Sequence, residues 1–109
     1  GQRMPAACRV VSMFFTPTTT LAAHGSVFLT ALLAKRDGAG GAAATIGTIS
    51  TDSGAGNVSL TAFTPAAFVA TATAADLVFA AGNVLTFKST ETSTVATPLG
   101  KVTVLVEWI

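Results

Sequence analysis

The side chains that carry most enzyme and metal chemistry are few in this chain, and they are scattered. Among 109 residues there are one His, one Cys, no Tyr and five acids. Acid–base catalysis needs titratable groups that converge on one proton, whereas His24, Cys8, Asp37, Asp52, Asp76, Glu91 and Glu107 are spread from end to end. His24 lies in Ala22-Ala23-His24-Gly25 and reads as a solvated turn residue, since a metal site normally takes about three or four ligands. Cys8 heads an apolar stretch, where a free cysteine behaves as a small buried hydrophobe and not as a nucleophile. Gly38-Ala39-Gly40-Gly41-Ala42-Ala43 fits the letters of the dinucleotide pattern G-x-G-x-x-A. That mechanism needs a helix opening right after the glycines and an acid about 20 residues on. Here Thr45-Ile46-Gly47-Thr48-Ile49 follows and Asp52 arrives too early, so the run reads as a hairpin loop. Asp52-Ser53-Gly54 lacks the repeated oxygen ligands of a calcium loop and predicts an Asx-turn. Asn57-Val58-Ser59 matches the glycosylation triplet with no secretory signal to support it. Trp108 has the ring to stack on a sugar or a base, yet it continues an apolar strand face and is expected in the core. No catalytic residue, cofactor or metal is therefore expected.

The elements that must position these residues are bounded by composition. Half of the positions are hydrophobic and 10% are charged, with a formal net charge of +1. That excludes a disordered chain, which needs the reverse on both counts. The length suits one domain, which buries about 65% of its unfolded surface without needing a disulfide or a metal. One cysteine makes no internal disulfide and is compatible with a reducing compartment. Six basic residues without clustering offer no field for nucleic acid or anionic lipid. The longest apolar run, Val27 to Ala34, is eight residues with Thr30 inside it, far short of the about 20 that a membrane helix needs. Gly1 to Pro5 lack the apolar region of a secretory signal, and the start at Gly1 is expected to be a processed, truncated or tagged end. Charge at 10%, against a usual figure of about 25%, predicts that much of the surface meets other protein.

Gly, Pro, Asn and Asp cut the chain into strand-sized pieces. Val102, Val104, Val106 and Trp108 share one parity and Lys101, Thr103, Leu105 and Glu107 the other, which predicts a half-buried strand. Leu85 and Phe87 oppose Thr86 and Lys88 in a strand begun by the Gly82-Asn83 turn, with a loop from about Thr92 to Gly100 joining the two. Arg9 to Thr16 is apolar on both parities, with Val10 and Phe14 against Val11, Met13 and Phe15. Val27 to Arg36 is the same, and both are expected to be covered on two sides; a helix competes for the second. Ala44 to Thr51 is expected to pair with Val27 to Arg36 across the Lys35 to Gly41 hairpin. Ser59 to Phe63 is a further strand candidate. Ala66 to Ala81 permits a helix or two short strands around Thr73 to Asp76, and the strands are preferred. The sum is an all-β chain: an extended segment over 1–8, then over 9–109 a single β-sandwich, jelly-roll-like, of about seven or eight short antiparallel strands.

Thr18 to Ala23 leading into an apolar strand, Ala34 to Ala42 across the hairpin, Phe79 to Thr86 and Pro98 to Val104 together resemble the capsid decoration, or cement, proteins of tailed bacteriophages and related small head proteins. These turn-and-strand patterns cover much of the chain and carry no catalytic signature; tail-fibre and baseplate modules share them. The resemblance implies a non-enzymatic virion protein on the capsid exterior, made in the host cytoplasm. Its partners would be the major capsid protein and further copies of itself, commonly as a homotrimer, with no small-molecule substrate. Apolar side chains in excess of a one-sided core, Met13, Phe15 and Phe28, are the expected contact residues. Arg3 joins them in an N-terminal arm, Gly1 to Pro5, expected to order on binding. The competing readings are a tail-fibre or baseplate module, a carbohydrate-binding receptor module, which would need exposed aromatics, and a pilin or adhesin.

Overall fold

The computed structural model describes residues 2–26, 28–39, 41, 43–57, 59–92 and 100–109. The expected 92–100 loop, the start of the second strand at Val27, Gly1, and the centres of the glycine loop and of the glycosylation triplet lie outside the described residues. In chain order the strands are β1 (Gln2–Arg3), β2 (Cys8–Pro17), β3 (Phe28–Arg36), β4 (Ala44–Ser50), β5 (Ala66–Ala67), β6 (Val69–Ala70), β7 (Val78–Phe79), β8 (Val84–Thr92) and β9 (Gly100–Trp108), with short 3-10 turns at Ser53–Ala55 and Ala74–Leu77. Every pairing between them is antiparallel. One sheet runs β1-β8-β3-β4-β6. In the other, β9 occupies one edge of β2 along its whole length, so β5 and β7 share the opposite edge at the two ends of β2. The sheets enclose one core, and the fold is an all-β sandwich.

The apolar run in β2 does not cover two faces as expected. A bulge sets Val10 opposite Val106 and Ser12 opposite Leu105, leaving Val11 extra. The bulge turns the chain by one position, so Cys8, Val10, Met13 and Phe15 all face inward while Val11 is 56% exposed. A second bulge, between Leu33 and Ala34 of β3 against Gly47 and Thr45 of β4, leaves Ile46 extra. Both Ile46 and Ile49 then reach the core. Gly47 makes room for this: a Cβ there would lie 3.0 Å from Met13 Sδ and Cε and 3.2 Å from the Phe68 Cβ. β3 needs no bulge, since Leu29, Ala31 and Leu33 alternate inward and Phe28 and Leu32 lie half-buried on the outer face.

The hairpin between β3 and β4 follows the sequence reading. Asp37 Oδ1 accepts the backbone N–H groups of Ala39 (2.8 Å) and Gly41 (3.0 Å), and Gly38 takes φ +80°. Ser59 to Phe63 is not a strand. Leu60 makes one two-way bridge to Leu21, and the chain then turns through Phe63 at φ +59°, whose N–H donates to Pro17 O. Ala66 to Ala81 resolves into three two-residue strands and a 3-10 turn. Lys35 holds that turn, its Nζ donating to Ala75 O and Val78 O while lying 5.8 Å from the ring centroid of buried Phe79.

The first residues belong to the fold, against the expected arm. Gln2 and Arg3 pair with Leu85 and Val84, Met4 exchanges backbone hydrogen bonds with Gly82 and Asn83, and its side chain is buried in the core. The alternation of Met4 inward and Arg3 outward explains why a segment with no long strand pattern still packs.

Candidate interaction surface

The residues with reactive groups are held in structural roles. Cys8 is fully buried. His24 is exposed, and its Nδ1 accepts the Ser26 N–H at 2.9 Å, closing the turn. Asp52 caps the Ser53–Ala55 turn through Gly54 N, the Asx geometry expected from Asp52-Ser53-Gly54. Asn57 Nδ2 donates to Asp52 O. A strand, not a helix, follows the glycine loop. No group of three His, Cys, Asp or Glu side chains fit to hold a metal ion occurs among the described residues, and no helix there is long and apolar enough to cross a membrane.

Of the expected contact residues, Met13 and Phe15 sit in the domain's own core, because the β2 bulge directs both inward. Phe28 is half-buried on the outer face of β3. Arg3 is exposed, with Nη1 donating to Gly82 O at 3.3 Å. The structure does not bring these four together. Trp108 also departs from expectation: it keeps the inward parity of Val102, Val104 and Val106, but it is 61% exposed.

Phe63 and Val69 are exposed singly elsewhere, and a continuous apolar surface lies along one side of the sandwich, where β8 faces β9. Between them runs an open groove of about 680 Å³, floored by Leu33, Leu85, Val102, Val104 and Val106 and edged by Phe87 and Trp108. Phe87 is 44% exposed and stacks on buried Phe15 with ring centroids 6.3 Å apart. The valines of β9 are only half-buried although they point inward. The cause is topological. β2 and β3 each have strands on both edges, whereas among the described residues β9 pairs with β2 alone and β8 is covered on its second edge by the two residues of β1. Sequence parity finds the inward face of β9 but has no means of showing that the sandwich stays open beside it. β9 and the part of β8 beyond its short pairing with β1 lie in different sheets, and that leaves no local pattern to read.

Polar contacts around the groove are sparse. Arg9 and Glu107, directly opposite on β2 and β9, form an exposed ion pair at 3.4 Å on the outer face, of the class worth about 0–1 kcal/mol. The groove is thus a largely apolar trough beside the β9 edge that no described strand pairs. No family model, curated protein or solved structure matches the chain.

Proposed function

We propose that this chain is a structural virion module that decorates a phage capsid and bridges its major capsid subunits. The observation that carries the reading is the open β8–β9 side. Val102, Val104 and Val106 are half-buried there, and Phe87 and Trp108 are exposed, on a chain with little charge to keep it apart from other protein. Burying apolar surface contributes about 25 cal/mol per Å², from which the ordering costs of association are subtracted, and many copies on one lattice act together through avidity. The sandwich core supports the role, since a closed core leaves the open side as the place where further apolar contact is gained. The test is co-sedimentation with purified capsids. Saturation at a fixed number of copies per capsomer is expected, and Trp108→Ala should lower the bound fraction; absence of saturable binding overturns the reading.

One observation favours a second reading, a receptor-binding module of the tail or baseplate. Trp108 presents its ring at the rim of a groove, as a sugar-stacking residue does. Glycan-array binding that is lost in Trp108→Ala, with no capsid binding, would select it.

A further inference from the structure

We propose that two copies of this chain form a two-fold dimer by pairing their β9 strands antiparallel, edge to edge, with Val104 on the axis. This goes beyond the capsid reading and is tested without capsids.

β9 is nine residues long, carries no proline, and has its bulge on the β2 side of the pairing. Among the described residues no strand pairs with its other edge. An edge of that length presents a row of unsatisfied backbone N–H and C=O groups to any strand of matching pattern. The strand that matches is β9 itself. Antiparallel pairing that overlaps all of Gly100–Trp108 has one register, and in it Lys101 falls opposite Glu107 of the second copy, Val102 opposite Val106, and Val104 opposite its own copy. Both ends of the seam then carry opposed charges on the outer face, where Lys101 and Glu107 are exposed. A slip by two residues sets Lys101 against Leu105 or Ile109 and loses this match. A slip by one turns the valine face of one copy to the outer face of the other.

The same operation completes the open side. A two-fold axis perpendicular to the sheet keeps the β8 sheet of each copy on the same side of the seam, so the two grooves face each other across the joined β9 strands. The half-buried valines of both copies become one continuous apolar layer. Trp108 falls opposite Gly100 of the second copy, the one position of the strand with no side chain to oppose the indole. The interface is isologous and closed, so edge pairing ends at two copies instead of propagating. It differs in symmetry from the threefold association that the phage resemblance implies.

The experiment is sedimentation equilibrium over a concentration series for the wild type, Lys101→Glu, Glu107→Lys and the double exchange, with circular dichroism showing that each variant is folded. A dimer is expected for the wild type. Each single change replaces two opposed pairs by two like-charge pairs and should raise the dissociation constant about tenfold. The double exchange, made together with Arg9→Glu so that position 107 keeps an opposite charge across β2, should return it to within about threefold of wild type. Val104→Cys supplies a second readout: facing Cβ atoms of a strand pair are about 4.5–5.5 Å apart, at or beyond the upper end of the disulfide range, so a short bis-thiol cross-linker should trap a covalent dimer, with Cys8 too buried to compete. A monomer at every concentration, a trimer, a double exchange no better than the singles, or a dimer that Val104→Cys does not trap would each overturn the pairing.

Discussion

The β2–β3 centre and the β8–β9 rim of this sandwich both carry apolar side chains at inward positions, and they reach different degrees of burial. At the centre, Leu29, Ala31 and Leu33 face Met13 and Phe15, and all five are buried. At the rim, Val102, Val104 and Val106 point inward with equal regularity and stay half-buried. Neither hydrophobicity nor parity separates the two regions. Strand neighbours do: β2 and β3 are paired on both edges, and β9, among the described residues, on one. Burial in a sandwich therefore depends on what flanks a strand as much as on what the strand contains.

The comparison is broken most severely by changing the register of the centre. Deleting Phe14 would put Met13 and Phe15 on opposite faces of β2 and should abolish cooperative folding, seen as loss of the urea transition. Deleting Val11 removes only the extra residue of the bulge, keeps the inward set in phase and should leave a folded protein. Equal loss in both would refute the role given to the bulge. Next in size is Phe79→Ala, at a fully buried site, expected to cost about 3–5 kcal/mol in urea denaturation. Trp108→Ala at the rim should cost within about 0.5 kcal/mol. A Trp108 variant as unstable as the Phe79 variant would mean that the rim is already closed in the monomer.

Thr51 gives a smaller and more local probe of the centre. Its buried Oγ1 accepts the Leu29 N–H at 3.0 Å, and its own N–H donates to Leu29 O. Thr51→Val leaves that donor without an acceptor and should cost about 1–3 kcal/mol, with faster amide exchange at Leu29 as the specific sign. The smallest effect belongs to the hairpin tip. Hydrogen bonds from the backbone of Ala39, then Gly41, hold the Asp37 carboxyl below its ordinary value of 3.8. A depressed carboxylate contributes stability that is present above the unfolded value and lost as pH falls through the folded one. The tip should accordingly loosen only below about pH 3.8, read by carboxyl chemical shift, and Asp37→Asn should remove that acid step. A titration of the tip at higher pH would contradict the two hydrogen bonds.

What was legible in the residues follows from the range of the forces involved. The β3–β4 hairpin was readable because Asp37, Gly38 and Gly41 close it through contacts within five positions. The Asx cap at Asp52 and the alternation of β9 are equally local. Reading failed where the deciding contact is remote. Ser59 to Phe63 has strand-like residues, but among the described residues its ladder contact is the single bridge between Leu60 and Leu21. The first residues show no strand pattern of their own because β8, which pairs with Gln2 and Arg3, lies some 80 positions on, as the 79-residue separation of Arg3 and Gly82 shows. Met13 and Phe15 looked surplus because a single extra residue, Val11, hides the regularity of the inward face.

Local residue patterns are enough to show that the chain is all-β, where its long strands run, that Cys8 is packed and that the glycine loop is a turn. Period-two alternation and turn chemistry act over a few residues and need no partner to be recognised. Which apolar side chains are covered, which strand edges are paired and that the candidate surface lies along β8 and β9 follow from the assembled sandwich. Those properties belong to pairs of strands far apart in the chain, and a bulge or a missing neighbour changes them without altering the local pattern.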